Sequence, residues 1–271
     1  MGSYLDARHG GGRWLVRMED IDSPRVRRHA DALILGALET LGLHWDGDVL
    51  YQSSRLPAYA EAIDHLHTAG LLYPCACKRK EVSGRPYPGT CREKHLHDDP
   101  GRSLRLRATG GDVSFMDEIQ GLIHVDVAAE TGDIVVRRAD GLTAYHLAVV
   151  IDDHWQGVTR VVRGVDLLGS AGAQLQVQKS LGLPTPEYAH LPMAVDTHGR
   201  KISKSLGAEA ALLKTQPGTL LLAVLQFLGQ DPDQGLAGSP VNDILTWATR
   251  HWRREAVPKV RMLRPVLITQ R

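Results

Sequence analysis

All three cysteines of this 271-residue chain fall within one short stretch, as Cys75-x-Cys77 and then Cys91. They lie in a segment, 71–140, whose short alternating strands (Ser103–Arg107, Leu122–Val125) interrupt a regular succession of strands and helices. That combination narrows the fold sharply. It predicts a parallel α/β domain that carries a β-rich insertion and ends in helices. The cysteines are odd in number and clustered, and Met1-Gly2-Ser3-Tyr4-Leu5-Asp6 shows no basic-then-apolar export pattern. Metal binding or thiol chemistry is therefore expected rather than a disulfide framework. The longest apolar run, Leu220–Leu225, is far short of the roughly 20 residues a bilayer requires, so a cytoplasmic protein without membrane contact is expected.

On either side of that segment the pattern is explicit. Trp14–Met18 reads as a short buried strand leading into the acidic loop Glu19-Asp20-Ile21-Asp22. Ser23-Pro24 is a helix start, and Ala30, Leu33, Ile34, Ala37, Leu38 and Leu41 follow 3.6-residue spacing up to Gly42. A second helix is predicted over Arg55–Ala69, with Leu56, Tyr59, Ala60, Ile63 and Leu66 inward. After the insertion, helical spacing returns at Ala144–Val150, a strand at Val158–Arg163 and a helix at Gly172–Leu181. Tyr188–Leu191 follows, then helices over Pro217–Leu228 and Val241–Arg253. Four parts are expected: 1–72, the first half of an α/β domain; 73–140, the insertion and connecting β region; 141–200, its second half; and 201–271, a loop and helical end. Net charge is +1, but Arg250–Arg271 holds seven basic residues and one acidic, which points to a polyanion at that end or to a solvated basic face.

Several groups could carry chemistry. Lys201-Ile202-Ser203-Lys204-Ser205 places two ammoniums and two hydroxyls on a loop that could close over phosphates, or could simply be solvated. Arg163-Gly164-x-Asp166 ends a predicted strand, where α/β sheets place ligands, and Arg163 suits a two-pronged grip on a carboxylate. An ion pair with Asp152, Asp153 or Asp166 is the alternative. Tyr145-His146 opens a helix, and His146 alone would read as a satisfied core histidine. Glu19 could receive an ammonium or be a loop acid. Three thiolates suit tetrahedral zinc, with Tyr87, His95 or His97 as the fourth donor, although small buried cysteines are a competing explanation.

Taken in order, Glu19-Asp20-Ile21-Asp22, Tyr145-His146-Leu147-Ala148, Asp152-Asp153, Arg163-Gly164-x-Asp166, His190-Leu191-Pro192 and Lys201–Ser205 resemble the class I glutamyl-tRNA synthetases. The cysteine cluster with Tyr87, the segment Gly42-Leu43-His44-Trp45-Asp46-Gly47-Asp48 and the early C-terminus are similar to the shortened branch of that family, the glutamyl-Q tRNA(Asp) synthetases, which lack an anticodon-binding domain. The resemblance runs through Pro258. It implies a Rossmann-like parallel sheet with a zinc-bearing insertion, and ATP-dependent, tRNA-independent activation of L-glutamate, with magnesium accompanying the ATP. Transfer of the glutamyl group to queuosine at the wobble position of tRNA(Asp) would follow, by a protein expected to be a monomer. By match, Glu19 would hold the glutamate ammonium and Tyr145 and Arg163 carboxylate oxygens. Lys204, with Lys201, would act on the ATP phosphates, and Cys75, Cys77, Tyr87 and Cys91 would ligate zinc.

One departure stands out. The family opens with a strand, a Pro/Ser/Gly turn and a His-x-Gly motif that cradles ATP, and Gly2–Arg8 resembles the later part of the helix that follows. The resemblance thus predicts that roughly 20–25 residues of the ATP site are missing from the chain as it stands. Two other readings compete with the enzyme: a non-catalytic tRNA-binding paralogue that has lost the ATP site, and a discriminating glutamyl-tRNA synthetase cut short. The missing segment favours the binder for this chain, which would then be inactive as it stands, whereas the intact set Glu19, Tyr145, Arg163 and Lys201–Ser205 favours the enzyme for the gene. A discriminating synthetase would carry a further C-terminal domain.

Overall fold

Apolar strand runs followed by amphipathic helices resolve, in a computed structural model, into helices packed around several short sheets. The structure describes residues 1–22, 29–82, 84, 86–108, 112–202 and 215–265. Helix α1 (Gly2–His9) precedes strand β1 (Arg17–Met18), α2 (Ala30–Thr40), β2 (Leu50–Tyr51) and, after a 3-10 turn at Gln52–Arg55, α3 (Leu56–Thr68). The middle of the chain gives β3 (Leu72–Cys75), α4 (Arg79–Val82), β4 (Ser103–Leu106), β5 (Asp112–Asp117), β6 (Gly121–Asp126), α5 (Val127–Glu130) and β7 (Ile134–Arg137). Then come α6 (Tyr145–Trp155), β8 (Arg160–Gly164), α7 (Leu168–Ser180), β9 (Glu187–Leu191) and β10 (Met193–Ala194). The chain closes with α8 (Pro217–Phe227), α9 (Val241–His251) and β11 (Met262–Leu263).

The parallel pairing expected of an α/β domain is present in β1 with β2, in β8 with β9 and in β10 with β11. Strands β6, β5, β9 and β8 form one four-stranded sheet in that order, with β5–β6 an antiparallel hairpin and β5 parallel to β9. The insertion builds its own antiparallel sheet, β3-β4-β7. One core gathers Leu66, Leu104, Leu106, Ile134, Leu147 and Val177 between α3, α6, α7 and that sheet. A second joins Leu5 of α1 to Leu221, Leu225, Ile244 and Trp252 of the helical end. Helix α7 is buried along Ala171–Gln178 and packs so closely on β6 that a Cβ at Gly172 would stand 2.6 Å from Val125.

Three expectations from the sequence change. Of Trp14–Met18 only Arg17 and Met18 pair as strand, because β2 offers just two partners. In α2 the periodic face is not an inward face throughout: Leu33 is 74% and Ile34 49% exposed, while Leu38 and Leu41 pack on the second core. In α3, Tyr59, Ile63 and Leu66 are buried, but Leu56 in the first turn and Ala60 face outward. Residues 23–28, including the predicted Ser23-Pro24 start, lie outside the described set.

Candidate functional site

Parallel strands deliver their C-terminal residues to one end, and the ionisable groups lie at such ends of β1, β8 and β9, which belong to two separate sheets. Glu19 directly follows β1, Arg163 lies near the end of β8, His190 near the end of β9, and Tyr145 opens α6. Glu19 feels the charge of Arg163, and Tyr145 feels the charges of both Glu19 and Arg163. Partial desolvation pushes the Glu19 carboxyl, still 45% exposed, above the ordinary range; Arg17 and Arg163 oppose this, while Asp153 and Asp152 add to it. Burial also raises the Tyr145 phenol, with Glu19 acting the same way and Arg163 against, so the hydroxyl remains a donor at neutral pH. Such a set offers negative charge, positive charge and a neutral hydroxyl in one place, which complements a zwitterion with extra carboxylate.

Neighbouring groups hold these side chains in place. Arg17 donates to Asp153 Oδ1 at 2.8 Å and to Gln156 Oε1 at 2.9 Å, and its other nitrogen is 3.8 Å from Glu19. Asp152, fully buried, accepts from Gln52 Nε2 (2.9 Å), Arg55 Nε (3.1 Å) and the Tyr59 hydroxyl (2.6 Å). The acidic pair Asp152-Asp153 therefore ties α6 to α3 and β1. Arg163 turns to uncharged acceptors: its Nε donates to His190 Nε2 at 3.0 Å and its Nη2 to the Leu167 carbonyl at 3.3 Å. His146 is half-buried rather than a satisfied core residue. Its Nδ1 has no hydrogen-bond partner among the described residues, and burial together with Arg163 lowers its pKa to about 4. Lys201 reaches back to Asp166, Nζ to Oδ2 at 2.6 Å, so the first residue of the lysine motif meets the last residue of Arg163-Gly164-x-Asp166. Lys204, with Ser203 and Ser205, lies outside the described residues.

The cysteine cluster closes as expected. The three Sγ atoms lie within 4.8 Å of one another, and no His, Asp or Glu among the described residues joins them. The Tyr87 hydroxyl stands 3.2 Å from Cys75 Sγ and 3.6 Å from Cys77 Sγ, and Cys77 and Cys91 are 3.6 Å apart. A tetrahedral zinc, with bonds of about 2.3 Å to sulfur and about 2.0 Å to oxygen, spaces its donors by roughly 3.5–3.8 Å. The residues therefore fit the ion, with Tyr87 the oxygen donor; His95 and His97 are exposed. Burial raises the Cys75 thiol, but the Tyr87 hydroxyl, the Cys77 amide and Arg105 outweigh it and bring the pKa down to about 7. Arg105 lies over the Tyr87 ring, 3.7 Å from its centre. Gly132, in the left-handed region at φ 70, lets the Tyr87 backbone pass where a Cβ would sit 2.1 Å from its carbonyl. A cleft of 790 Å³ runs from this cluster to the sheet edge, lined by Tyr87, Arg105, Arg138, Asp22, Glu19 and Tyr145.

The comparisons with known proteins agree with this architecture. The family described as tRNA synthetases class I (E and Q), catalytic domain, matches residues 1–229, and the chain belongs to that class of synthetase. Within it, the chain belongs with the glutamyl-Q tRNA(Asp) synthetases: it is 48% identical over 269 residues to the one from Dechloromonas aromatica, covering 96% of this chain and 89% of that protein. It is 46% identical over 261 residues to the one from Escherichia coli, covering 96% and 84%. Among solved structures, the glutamate-tRNA synthetase of Elizabethkingia anophelis superposes with a TM-score of 0.79 at 21% identity, over 97% of this chain and 63% of that one, which is a likeness of fold.

Motif reading names Glu19, Tyr145, Arg163 and the cysteine cluster as candidates. It did not find Asp117, Arg105 or Asp133, each a single polar residue in a β-rich stretch. Asp133 is fully buried between Arg92, the Tyr73 hydroxyl and the Ala108 amide. Only the improbability of an unpaired buried acid could have flagged it.

Proposed function

We propose that this chain activates L-glutamate with ATP, without needing tRNA, and passes the glutamyl group to queuosine in tRNA(Asp). The observation that supports the reading is the electrostatic proximity of Glu19, just past β1, Arg163, near the end of β8, and Tyr145, at the start of α6. Glu19 would take the substrate ammonium, and Arg163 with Tyr145 would take carboxylate oxygens. Adenylate formation needs no protein nucleophile, because the substrate carboxylate itself attacks the α-phosphorus and the bond from it to the bridging oxygen breaks, releasing pyrophosphate; the protein contributes placement and charge neutralisation. Lys201 and Lys204 would supply that positive charge from the loop, with magnesium accompanying the ATP. Lys201 is held at Asp166, three residues beyond Arg163, and would exchange that partner for phosphate oxygens. Similarity over nearly the whole chain to relatives named for the queuosine-directed reaction does not favour the binder or the truncated discriminating enzyme.

The same reading assigns Cys75, Cys77, Tyr87 and Cys91 to a structural zinc. The ion would cross-link the loop after β3 to the segment around Cys91, and all four donors would come from the protein, which leaves no open position for substrate. The test is glutamate transfer by the full-length protein to tRNA(Asp) with and without queuosine. Labelled glutamate should enter only the queuosine-containing tRNA, and should be released with the modified nucleoside on digestion. Charging of the 3′ end of tRNA(Glu) instead would refute the assignment.

A further inference from the structure

We propose that His190 and Asp117 are positioning residues that fix the orientation of the Arg163 guanidinium and thereby set the affinity for the amino-acid substrate. The proposal rests on the glutamate reading of the pocket and deepens it.

Sheet register puts the three residues in a row. Arg163 of β8 is the direct partner of His190 of β9, and Asp117 of β5 lies on the other side, paired with Tyr188 of β9. His190 Nδ1 is 2.5 Å from Asp117 Oδ2, and both side chains are fully buried. Asp117 is itself held by the amides of Ile119 (3.1 Å), Gln120 (2.8 Å) and His190 (3.1 Å), so it cannot turn away.

The chemistry of the row allows one proton arrangement. Arg163 Nε can only donate, so His190 Nε2, 3.0 Å away, must present a lone pair. The imidazole proton is then on Nδ1, where the Asp117 carboxylate accepts it. A carboxylate on one side and a guanidinium on the other thus select the Nδ1–H tautomer. The consequence falls on Arg163. Its Nε–H is occupied by His190, one Nη2–H by the Leu167 carbonyl at 3.3 Å, and its guanidinium carbon rests 5.4 Å from the Tyr188 ring centre. The donors left for a ligand are those of Nη1 and the remaining Nη2–H, an end-on fork matched to a carboxylate. Lysine has no equivalent of the Nε–H and could not be oriented this way.

The experiment uses the full-length protein and reads glutamate KM in pyrophosphate exchange alongside the histidine tautomer by long-range ¹H–¹⁵N NMR, the His190 signal being assigned by its loss in His190→Asn. Asparagine keeps a donor near the Nδ1 position for Asp117 but has no acceptor for Arg163, so glutamate KM should rise by roughly 10- to 150-fold, as for a lost charge-assisted hydrogen bond, with ATP KM unchanged. His190→Gln, whose longer amide can return an acceptor to Arg163 Nε, should recover much of the loss. In the unsubstituted protein His190 should show a protonated Nδ1 and a bare Nε2. Arg163→Ala separates the pocket reading from the positioning role. If it leaves glutamate binding intact, the pocket reading fails and the inference with it. If it abolishes binding while His190→Asn leaves glutamate KM unchanged, or if His190 carries its proton on Nε2, the positioning role alone is overturned.

Discussion

Glu19 is a carboxylate that the fold makes reluctant to ionise, since burial and the acids Asp153 and Asp152 outweigh Arg17 and Arg163. If it holds the substrate ammonium it must be charged, so glutamate affinity should be full above its raised pKa and fall as pH drops through it. The fall should begin above the pH of about 4.3 at which free glutamate loses its own side-chain charge. Calorimetric titration across pH should show this inflection, and Glu19→Gln should bind weakly with the inflection gone; an unchanged profile in that variant would remove Glu19 from the pocket. Tyr145→Phe should cost about 1.5–3 kcal/mol of binding, the range for a hydrogen bond to a charged group. Glu19, Tyr145 and Arg163 stand out as candidates in the sequence because each sits at a strand end or helix start, a boundary that periodicity reveals. The Asp117–His190 pair is not. Its members are 73 residues apart, and only the pairing of β5 with β9 brings them together. The proximity of Lys201 to Asp166 likewise depends on the isolated bridge between Val195 and Lys201.

At the scale of elements, the insertion is held by charge as much as by apolar packing. Asp133 receives Arg92, the Tyr73 hydroxyl and the Ala108 amide, which joins the loop after Cys91 to β3 and to the chain beyond β4. Burial acts to raise its pKa, but these donors prevail and hold it below the ordinary aspartate value. Its contribution to stability is therefore complete above the unfolded aspartate range, near pH ~4, and is lost as pH falls through the lower folded value. Acid unfolding followed by circular dichroism should show that loss, and Asp133→Asn should be less stable at neutral pH with a shallower acid transition. For the metal, Cys91→Ser should lower zinc content well below one per chain, and Gly132→Ala should do the same by displacing the Tyr87 backbone. Full occupancy in both variants would rule out the cluster as the site. The cysteine spacing of the insertion is readable from the sequence, whereas the sequence leaves Tyr87 as one of several candidate fourth donors, and only the fold brings its hydroxyl to 3.2 Å from Cys75 Sγ. Helix α2 shows the limit of periodicity: its apolar spacing predicts a helix correctly, yet the spacing alone does not say that Leu33 and Ile34 face outward.

Across the whole molecule, the two ends of the chain are joined by one buried acid. Asp6 of α1 accepts from Arg254 Nε at 2.7 Å, from the Trp252 indole at 3.1 Å and from Arg160 at 3.2 Å. Part of the C-terminal basic run is thus structural: Arg254 also reaches Glu118, and Arg264 donates to the Thr197 carbonyl. Arg250, Arg253, Lys259 and Arg261 remain exposed and are the ones expected to meet tRNA phosphates. Replacing Lys259 and Arg261 together by alanine should weaken tRNA binding and reduce its salt dependence by about two counterions' worth of slope, without changing glutamate KM. The asymmetry of charge is visible in the sequence, whereas the division between structural and exposed arginines requires the contact between residues nearly 250 positions apart.

No described helix is long and apolar enough to cross a membrane, and the charges gathered around Glu19 and Arg163 complement a small zwitterion. The most direct test is glutamate-dependent exchange of pyrophosphate into ATP by the full-length protein in the absence of tRNA, with glutamine and aspartate as competitors. Exchange with glutamate alone is expected, and its near-abolition in Arg163→Ala, a loss of two to three orders of magnitude for about 3–5 kcal/mol of broken charge pairing. Arg163→Lys should recover little of it. Exchange that requires tRNA, that accepts glutamine equally, or that survives in Arg163→Ala would contradict the account.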